Sequence, residues 1–238
     1  MRQQPASTAK PSPGRRDAAR AAQPDRRLNI LLAAEKLFAL RGYNAVSIRD
    51  IAAEAGVPLA LVGYYYGAKH ELYHAIFESW SGTVATRLAG LQAAVATPDL
   101  EQRLAQILEA FVGPVIALQQ SPEGQHYAMM AARELAVPGA EAERAQREFF
   151  DPMAHAFIDA LMACAPGTSR GQIAWCYQFM LGALLHFLAD RRVERLSGGQ
   201  NRAADPAAQG QLLAFLRTGF RGALATAPTK KATPRRPA

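Results

Sequence analysis

The chain has 238 residues, which is enough for one large domain or two smaller ones with real hydrophobic cores. Half of the residues are hydrophobic, and no segment shows the alternation of β-branched residues between turn clusters that predicts a sheet. The composition therefore predicts an all-α protein and excludes a β-sandwich, a barrel or a disulfide scaffold.

The formal net charge of +7 is concentrated at the two ends of the chain. Residues 1–27 carry seven basic and two acidic side chains, residues 228–238 carry four basic ones, and residues 28–227 are left with a net charge of −2. We expect residues 1–24 and 228–238 to be disordered basic tails. Such tails either contact a polyanion such as DNA or only keep the protein in solution.

The two cysteines, Cys164 and Cys176, form neither a disulfide framework nor a CxxC metal pair. Both lie in apolar helical segments and are predicted to be small core residues. The N-terminus lacks the apolar run of a signal peptide, and the Arg15-Arg16 pair is not followed by a hydrophobic segment. These features predict a cytoplasmic protein in a reducing compartment.

The first predicted helix begins near Asp25 and ends at Gly42, which has the residue type of a C-terminal cap. Its apolar face consists of Ile30, Ala34, Leu37 and Phe38.

Two short helices separated by a tight turn are predicted next, between Ser47 and Lys69. Ser47 and Asp50 have the spacing of a capping box, and Pro58 can open the second helix because its missing N–H costs nothing there. Ala52, Gly56 and Val62 supply the close contact, the turn residue and the apolar anchor of a helix-turn-helix. In such a motif the second helix lies in the major groove of DNA.

The remainder is predicted to be helical. A long helix begins near Ala68, with one continuous apolar stripe formed by Leu72, Ile76, Trp80, Val84, Leu88, Leu91 and Val95. Helices are then predicted at 99–120, 123–136, 140–150, 153–164, 169–195 and 206–225. The breakers are Thr97-Pro98-Asp99, Ser121-Pro122, Pro138-Gly139, Asp151-Pro152 and Pro166-Gly167, and residues 197–206 form a loop.

Residues 25–80 resemble the N-terminal DNA-binding domain of the tetracycline-repressor (TetR) family. The matching segments are AAEKLFALRGYNAVSIRDIAAEAGV and YYYGAKHELYHAIF, about a quarter of the chain. The resemblance implies a DNA-binding domain at 25–84 and a helical ligand-binding and dimerisation domain at 85–227.

The resemblance also implies which residues contact DNA. Ser47 and Arg49 match positions near the DNA backbone, and Tyr65 and Lys69 match the pair that grips phosphate. The exposed face of the recognition helix would carry Pro58, Leu59, Ala60, Gly63 and Tyr64. Tyr66 takes the place of a core phenylalanine.

The chain departs from the family pattern at Gly63, where an aromatic residue is frequent, and at Ala68, where a capping serine is usual. Pro58-Leu59-Ala60 offers no bidentate hydrogen-bonding side chain. Base reading is therefore expected to depend on Tyr64, on thymine methyl groups and on DNA shape.

The effector site is predicted less specifically. Candidate lining residues in the middle helices are His126, Met130, Arg133, Trp175 and Phe179, and each of them could instead be an ordinary helix residue. The apolar run 173–189 either spans a membrane or is covered on one side by the core and on the other by a partner subunit. We favour the second reading, in which this helix and helix 206–225 form a four-helix dimer interface.

His70-Glu71-Leu72-Tyr73-His74 spells HExxH, a zinc-hydrolase pattern, but no third ligand motif follows it. The segment also coincides with the helix that leaves the DNA-binding domain. We therefore expect no catalytic activity, no metal and no cofactor. With its resemblance to the TetR family, the sequence predicts a homodimeric repressor that binds a palindromic double-stranded DNA operator. Release from the operator by a small molecule is what the resemblance implies. An activator of the same family and a zinc hydrolase are the alternatives.

Overall fold

The computed structural model describes residues 25–136 and 139–225, and this part of the chain is all-α, as the composition predicts. The predicted basic tails, 1–24 and 228–238, lie outside the described residues. The helices are α1 (Arg26–Arg41), α2 (Ile48–Glu54), α3 (Leu59–Tyr66), α4 (Lys69–Ser79), α5 (Ser81–Val95), α6 (Leu100–Ala117), α7 (Pro122–Ala136), α8 (Ala140–Ala145), α9 (Asp151–Ala163), α10 (Arg170–Ala189), α11 (Arg192–Leu196) and α12 (Gln209–Ala225).

Helix α1 has the predicted boundaries. The Asp25 carboxylate accepts hydrogen bonds from the N–H groups of Arg27 (3.0 Å) and Leu28 (3.2 Å), which would otherwise lack partners. At the other end Gly42 adopts φ 82°, and its N–H bonds to the carbonyl of Phe38 at 2.8 Å. The left-handed region requires a residue without Cβ strain, so glycine fixes the end of the helix.

The helix-turn-helix is also confirmed. Ser47 and Asp50 form a complete capping box at the start of α2. Gly56 takes φ 64° in the turn, and Val62 is fully buried on the inner face of α3. The turn and the anchor together fix the angle at which α3 leaves the domain.

The prediction of one continuous helix from Ala68 to Val95 is wrong. Trp80 leaves the helical region (φ −97°, ψ 9°) and separates α4 from α5. The Ser79 hydroxyl donates to the carbonyl of Ile76 at 2.6 Å, and Gly82 follows directly in α5. Both features weaken a regular helix at this point. The apolar stripe continues across the break because both helices pack on the same core.

Asp151-Pro152 does not break the chain as predicted. A π-helical turn at Gln146–Phe150 connects α8 to α9 without interruption. The wider turn accommodates a proline that has no N–H to offer, and Pro152 lies in the first turn of α9, where that loss is tolerated.

The predicted helix 169–195 ends earlier, at Ala189. Asp190 is extended (ψ 114°), and its carboxylate accepts a hydrogen bond from the Arg192 N–H at 2.8 Å. This cap begins the separate short helix α11. Residues 197–206 are a loop, as predicted.

The two domains meet where α1 packs along α7. The Trp80 indole N–H donates to Glu35 Oε2 at 2.7 Å, and the Trp80 ring stacks on Tyr127 with 4.9 Å between centroids. Arg133 of α7 donates to the carbonyl of Ala39 at 3.3 Å. The orientation of the N-terminal domain therefore depends on side chains from α1 and α7 and on Trp80, which lies between α4 and α5.

Glu35 is the titratable group at this junction. It is 1% exposed, its Oε1 has no hydrogen-bond partner, and burial raises its pKa to about 7. The pKa of Glu35 is higher in the folded protein than its ordinary value. The contribution of protonated Glu35 to the free energy of unfolding is therefore complete below that ordinary value, and it is lost as the pH rises through 7.

Glu35→Gln is therefore expected to change the pH dependence of stability. The variant keeps an acceptor for the Trp80 indole but cannot ionise. Its free energy of unfolding should be near that of the wild type at pH 5 and higher by about 1–3 kcal/mol at pH 8.5. Urea unfolding at the two pH values measures this difference. Glu54→Gln, which alters an exposed carboxylate paired with Lys36, serves as the control without such a gain. If the free energies of unfolding of the wild type and Glu35→Gln differed by the same amount at pH 5 and at pH 8.5, the raised pKa of Glu35 would be contradicted.

Candidate DNA-binding face and interior cavity

Helix α3 has one buried side and one fully accessible side. Val62 is buried, while Leu59, Ala60, Gly63 and Tyr64 are exposed. Tyr64 is 79% exposed. An aromatic side chain that contributes so little to the core of its own domain indicates a contact surface.

Tyr65 lies next to Tyr64 and forms an edge-to-face pair with it, with 5.2 Å between ring centroids. Tyr65 is 37% exposed, so its hydroxyl remains within reach of a ligand on the outside of the domain. Pro58, the N-cap of α3, is exposed as well. The structure thus brings together five of the predicted base-reading residues and one predicted phosphate contact: Pro58, Leu59, Ala60, Gly63, Tyr64 and Tyr65.

Tyr66 faces the other way and holds α3 in place. Its hydroxyl donates to the carbonyl of Arg27 at 2.9 Å, and the Arg27 guanidinium lies 5.6 Å from the Tyr66 ring centroid. The extra hydroxyl, compared with the phenylalanine frequent in the family, therefore ties the end of α3 to the start of α1. Arg26 and Arg27 are exposed at that start.

Lys69 begins α4 and packs on an aromatic ring. Its Nζ lies 4.1 Å from the ring centroid of Tyr43, and burial lowers its pKa. The missing serine cap at Ala68 is partly replaced, because the Glu71 carboxylate accepts a hydrogen bond from the Ala68 N–H at 2.5 Å.

Ser47 is exposed, but its hydroxyl is occupied. It donates to Asp50 Oδ2 at 2.6 Å and accepts from the Asp50 N–H at 3.2 Å. The hydrogen bonds that the Ser47 hydroxyl and the Ser47 N–H donate to the Asp50 carboxylate lower the pKa of Asp50. The residue therefore orients the first turn of α2. The N–H groups of Ile48 and Arg49 belong to this first turn, and the Arg49 side chain is exposed.

The second candidate site is a narrow cavity of ≈ 60 Å³ inside the C-terminal domain. It lies between α5, α6, α7, α9 and α10, and almost all of its wall is apolar. The polar side chains that line it are Thr83, Arg87, Tyr127 and Tyr177.

Arg87 is the charged group of this cavity. It is 8% exposed, and its guanidinium lies 5.1 Å and 5.3 Å from the ring centroids of Phe111 and Phe157. One amino group donates to the carbonyl of Phe111 at 3.2 Å, but the buried Nε has no hydrogen-bond partner. Burial lowers the pKa of Arg87 to about 10, so the side chain remains cationic at neutral pH.

An open cleft of ≈ 470 Å³ adjoins the cavity on the outside. Ala128 and Leu188 line both spaces, so the cavity and the cleft adjoin at these two side chains. Arg191 and Arg202 lie on the outer side of the cleft and are exposed.

None of the five predicted effector residues lines the interior cavity. Met130 is fully buried in the core, His126 is half-buried outside the cavity wall, and Arg133 contacts α1. Trp175 and Phe179 lie on the outer surface of α10, 64% and 62% exposed. Which residues line the cavity depends on the face that each helix turns toward it. Residue type alone does not specify that face.

Arg87 is not among the residues predicted from the sequence, although its position carries a signal. Arg87 lies three residues after Val84 and four before Leu91, so it falls on the apolar face of its helix. A charged residue at such a position is expected to be buried and to need a partner.

Trp175 and Phe179 belong instead to an exposed aromatic face. Their rings stack with 5.7 Å between centroids, and Phe215 of the neighbouring helix α12 is 66% exposed. Grooves of ≈ 340 Å³ and ≈ 210 Å³ run between α10 and α12 at this face. By length and composition, α10 is the one helix in the described part of the chain that could cross a membrane.

The HExxH residues take ordinary structural roles. Glu71 caps α4, and His74 is buried with its ring nitrogens 3.4 Å from Glu141 and 3.3 Å from Glu148. Within residues 25–136 and 139–225, no group of three or more His, Cys, Asp or Glu side chains is arranged to hold a metal ion. His74 thus connects α4 to α8 and to the turn that follows it.

Comparison with known proteins matches both domains. The family model for bacterial regulatory proteins of the tetR family matches residues 30–76, and the model for the tetracyclin repressor-like C-terminal domain matches residues 109–219. The transcriptional activator FasR of Mycolicibacterium smegmatis is 33% identical over 102 residues, which are 43% of this chain and 46% of that protein. A transcriptional repressor of Mycobacterium tuberculosis is 49% identical over 59 residues, 25% of this chain and 31% of that protein. The chain thus matches less than half the length of these relatives.

Solved structures agree in fold. The fatty acid degradation regulator FadR from Bacillus halodurans superposes with a TM-score of 0.56 at 17% identity, covering 84% of this chain and 98% of that one. A TetR-like regulator from Rhodococcus superposes with a TM-score of 0.53 at 22% identity, covering 86% and 100%. With both domains matched and the helix order shared, the chain belongs to the tetR family of bacterial regulatory proteins.

Proposed function

We propose that the protein is a homodimeric, DNA-binding transcriptional repressor that leaves its operator when a small molecule binds the C-terminal domain. The observation that carries the proposal is the exposed face of α3, where Tyr64 and Tyr65 project outward while Val62 anchors the helix. Family membership supports a regulator and not an enzyme, and a cytoplasmic location follows from the need to reach DNA.

The DNA-binding face combines two kinds of contact. Free N–H groups at the start of α2 suit phosphate oxygens, as do the side chains of Arg49, Tyr65 and Lys69. Leu59, Ala60 and Tyr64 have no bidentate hydrogen-bonding groups, so they would contact thymine methyl groups and base edges by shape. Phosphate contacts supply affinity, and α3 supplies the sequence preference.

A second subunit would cover the aromatic face of α10 and α12. Exposed aromatic residues in one contiguous face are typical of a protein interface, and an isologous dimer covers the same face on both subunits. The same face explains why α10 is apolar enough to resemble a membrane span. A dimer would present two copies of α3 to successive major grooves of a near-palindromic operator.

Ligand release requires a path from the effector domain to α3. Tyr127 lines the interior cavity and stacks on Trp80, whose indole holds Glu35 of α1. A ligand that displaces Tyr127 would change this contact and hence the separation of the two α3 helices. The ligand can change this separation only if it binds one arrangement of the two α3 helices more tightly than the other.

An activator of the same family is the second candidate, because FasR is named as an activator. A reporter driven by the intergenic DNA next to the gene separates the two. Deleting the gene should raise reporter output for a repressor and lower it for an activator.

Tyr64→Ala is expected to lower affinity for DNA from upstream of the gene about tenfold and to reduce the preference over random DNA. Fluorescence anisotropy of labelled duplexes measures both quantities. Tyr64→Phe separates the ring from the hydroxyl, and Leu40→Ala, an exposed position on α1, is the matched control. Unchanged affinity and preference in Tyr64→Ala would remove α3 from base reading.

Lys69→Gln should weaken binding to all duplexes alike, because a phosphate contact carries no sequence information. The slope of log affinity against log salt concentration should fall by about 1 per subunit. A slope equal to that of the wild type would place Lys69 outside the phosphate contacts and leave it as packing for Tyr43.

The double variant Trp175→Glu, Phe179→Glu should be monomeric, because each substitution would bury a charge at the subunit interface. Light scattering should give a mass near 25.7 kDa, against twice that value for the wild type. Because the variant no longer dimerises, its affinity for DNA should also be lower than that of the wild type. Val95→Glu, another exposed apolar position, is the control that keeps the dimer. A wild-type protein that is itself monomeric would contradict the interface.

A further inference from the structure

We propose that the interior cavity binds an amphipathic monoanion, a carboxylate on an unbranched alkyl chain, with the carboxylate on Arg87. The inference rests on the proposed function only for its regulatory consequence, since binding itself is a property of the free protein. It names the ligand class from the charge and the wall of the cavity.

The first argument is the unpaired charge. Arg87 forms no salt bridge with any carboxylate in the described residues, and its hydrogen bond to the carbonyl of Phe111 uses one of five N–H donors. A buried guanidinium without a counter-ion is unfavourable, whereas a planar carboxylate can satisfy two of its donors at once. Arg87 is a residue of the cavity wall, and its buried Nε has no hydrogen-bond partner.

Two phenols also face the site. Tyr127 and Tyr177 line the cavity with Arg87, and burial raises the pKa of both. Both hydroxyls stay neutral near pH 7, so they can donate to an oxygen anion without competing for the guanidinium as charged groups. Two carboxyl groups act on the titration of these phenols: Glu35 of α1 raises the pKa of Tyr127, and Asp151 of α9 raises the pKa of Tyr177.

The second argument is the apolar wall. Leucine and valine side chains from four helices surround the space, and Leu181, Leu185 and Leu188 follow one face of α10 toward the outer cleft. These residues suit a flexible hydrocarbon chain and offer nothing to a second polar group. Arg87 is the only cation in the described cavity wall, which favours a single negative charge over a dianion such as a phosphate monoester.

The space in the cavity and in the adjoining cleft determines which lengths of alkyl chain can bind. The cavity volume of ≈ 60 Å³ is well below the roughly 300 Å³ of a typical ligand site, so a ligand must displace side chains. Leu135, Leu181 and Leu185 are only half-buried and can move. The adjoining cleft of ≈ 470 Å³ would receive the end of a longer chain past Ala128 and Leu188. Affinity should therefore increase with chain length from six to ten carbons.

The test is isothermal titration calorimetry of the full-length wild-type protein with hexanoate, octanoate and decanoate, and with octanol as the uncharged match. We expect octanoate to bind with a Kd below about 1 mM and at least tenfold more tightly than octanol. Equal affinity for octanoate and octanol, or no binding by any of the three carboxylates, would overturn the proposal without the need for a variant.

Arg87→Met keeps the volume and removes the charge. It should reduce octanoate affinity at least tenfold, leave octanol affinity within about twofold, and give a melting temperature no lower than that of the wild type, because the unpaired buried charge is gone. The matched control is Arg191→Met, which removes an exposed cation from the outer cleft and should bind octanoate normally. Loss of octanoate binding in Arg191→Met but not in Arg87→Met would place the anion in the cleft and overturn the assignment.

The regulatory consequence is measured separately, as release of upstream DNA by octanoate in the anisotropy assay. Octanoate binding without DNA release would leave the ligand class intact and contradict ligand control of DNA binding. Failure to bind DNA under any condition would contradict the proposed function alone.

Discussion

The structure depends on one contact between its two halves, the hydrogen bond from the Trp80 indole to the buried Glu35 carboxyl. Trp80 lies at the break between α4 and α5, and Glu35 lies on α1, the helix against which the DNA-binding motif packs. The Trp80 ring also stacks on Tyr127, with 4.9 Å between ring centroids, and Tyr127 lines the interior cavity. A change at the cavity can therefore reach α1 through two side chains.

The contact also explains the break in the helix. Periodicity alone predicts one long helix after Ala68, since the apolar stripe runs through Trp80 without interruption. The stripe specifies which face is buried but not whether the backbone bends between its members. Trp80 satisfies its N–H on a carboxyl group of another helix, and Ser79 and Gly82 make the bend inexpensive. Tertiary hydrogen bonding, which the pattern does not encode, decides the local conformation here.

The local features of the N-terminal domain could be predicted because they are encoded within a few residues. The capping box of Ser47 and Asp50, the left-handed Gly56 and the buried Val62 each follow from short-range rules. The exposed position of Tyr64 then follows from the helical rotation fixed by Val62. The one refinement is that the Ser47 hydroxyl is used within the protein and is not free to contact a phosphate.

The interior cavity, which is the proposed effector site, could not be predicted in the same way, because it is built from five helices that are distant in sequence. Residue type suggested Trp175 and Phe179, yet both face outward, where a second subunit would cover them. Arg87 carries the chemistry of the cavity, and its position on an apolar stripe was its only sign in the sequence. Burial of an unpaired charge is visible only once the helices are packed.

DNA binding by a pair of α3 helices can be measured by footprinting of the DNA upstream of the gene with the purified protein. We expect two protected half-sites whose centres lie about one helical turn or a multiple of it apart, related by a two-fold axis, with protection that weakens as salt rises. A single unsymmetrical footprint, or no protection at low ionic strength, would contradict binding by such a pair.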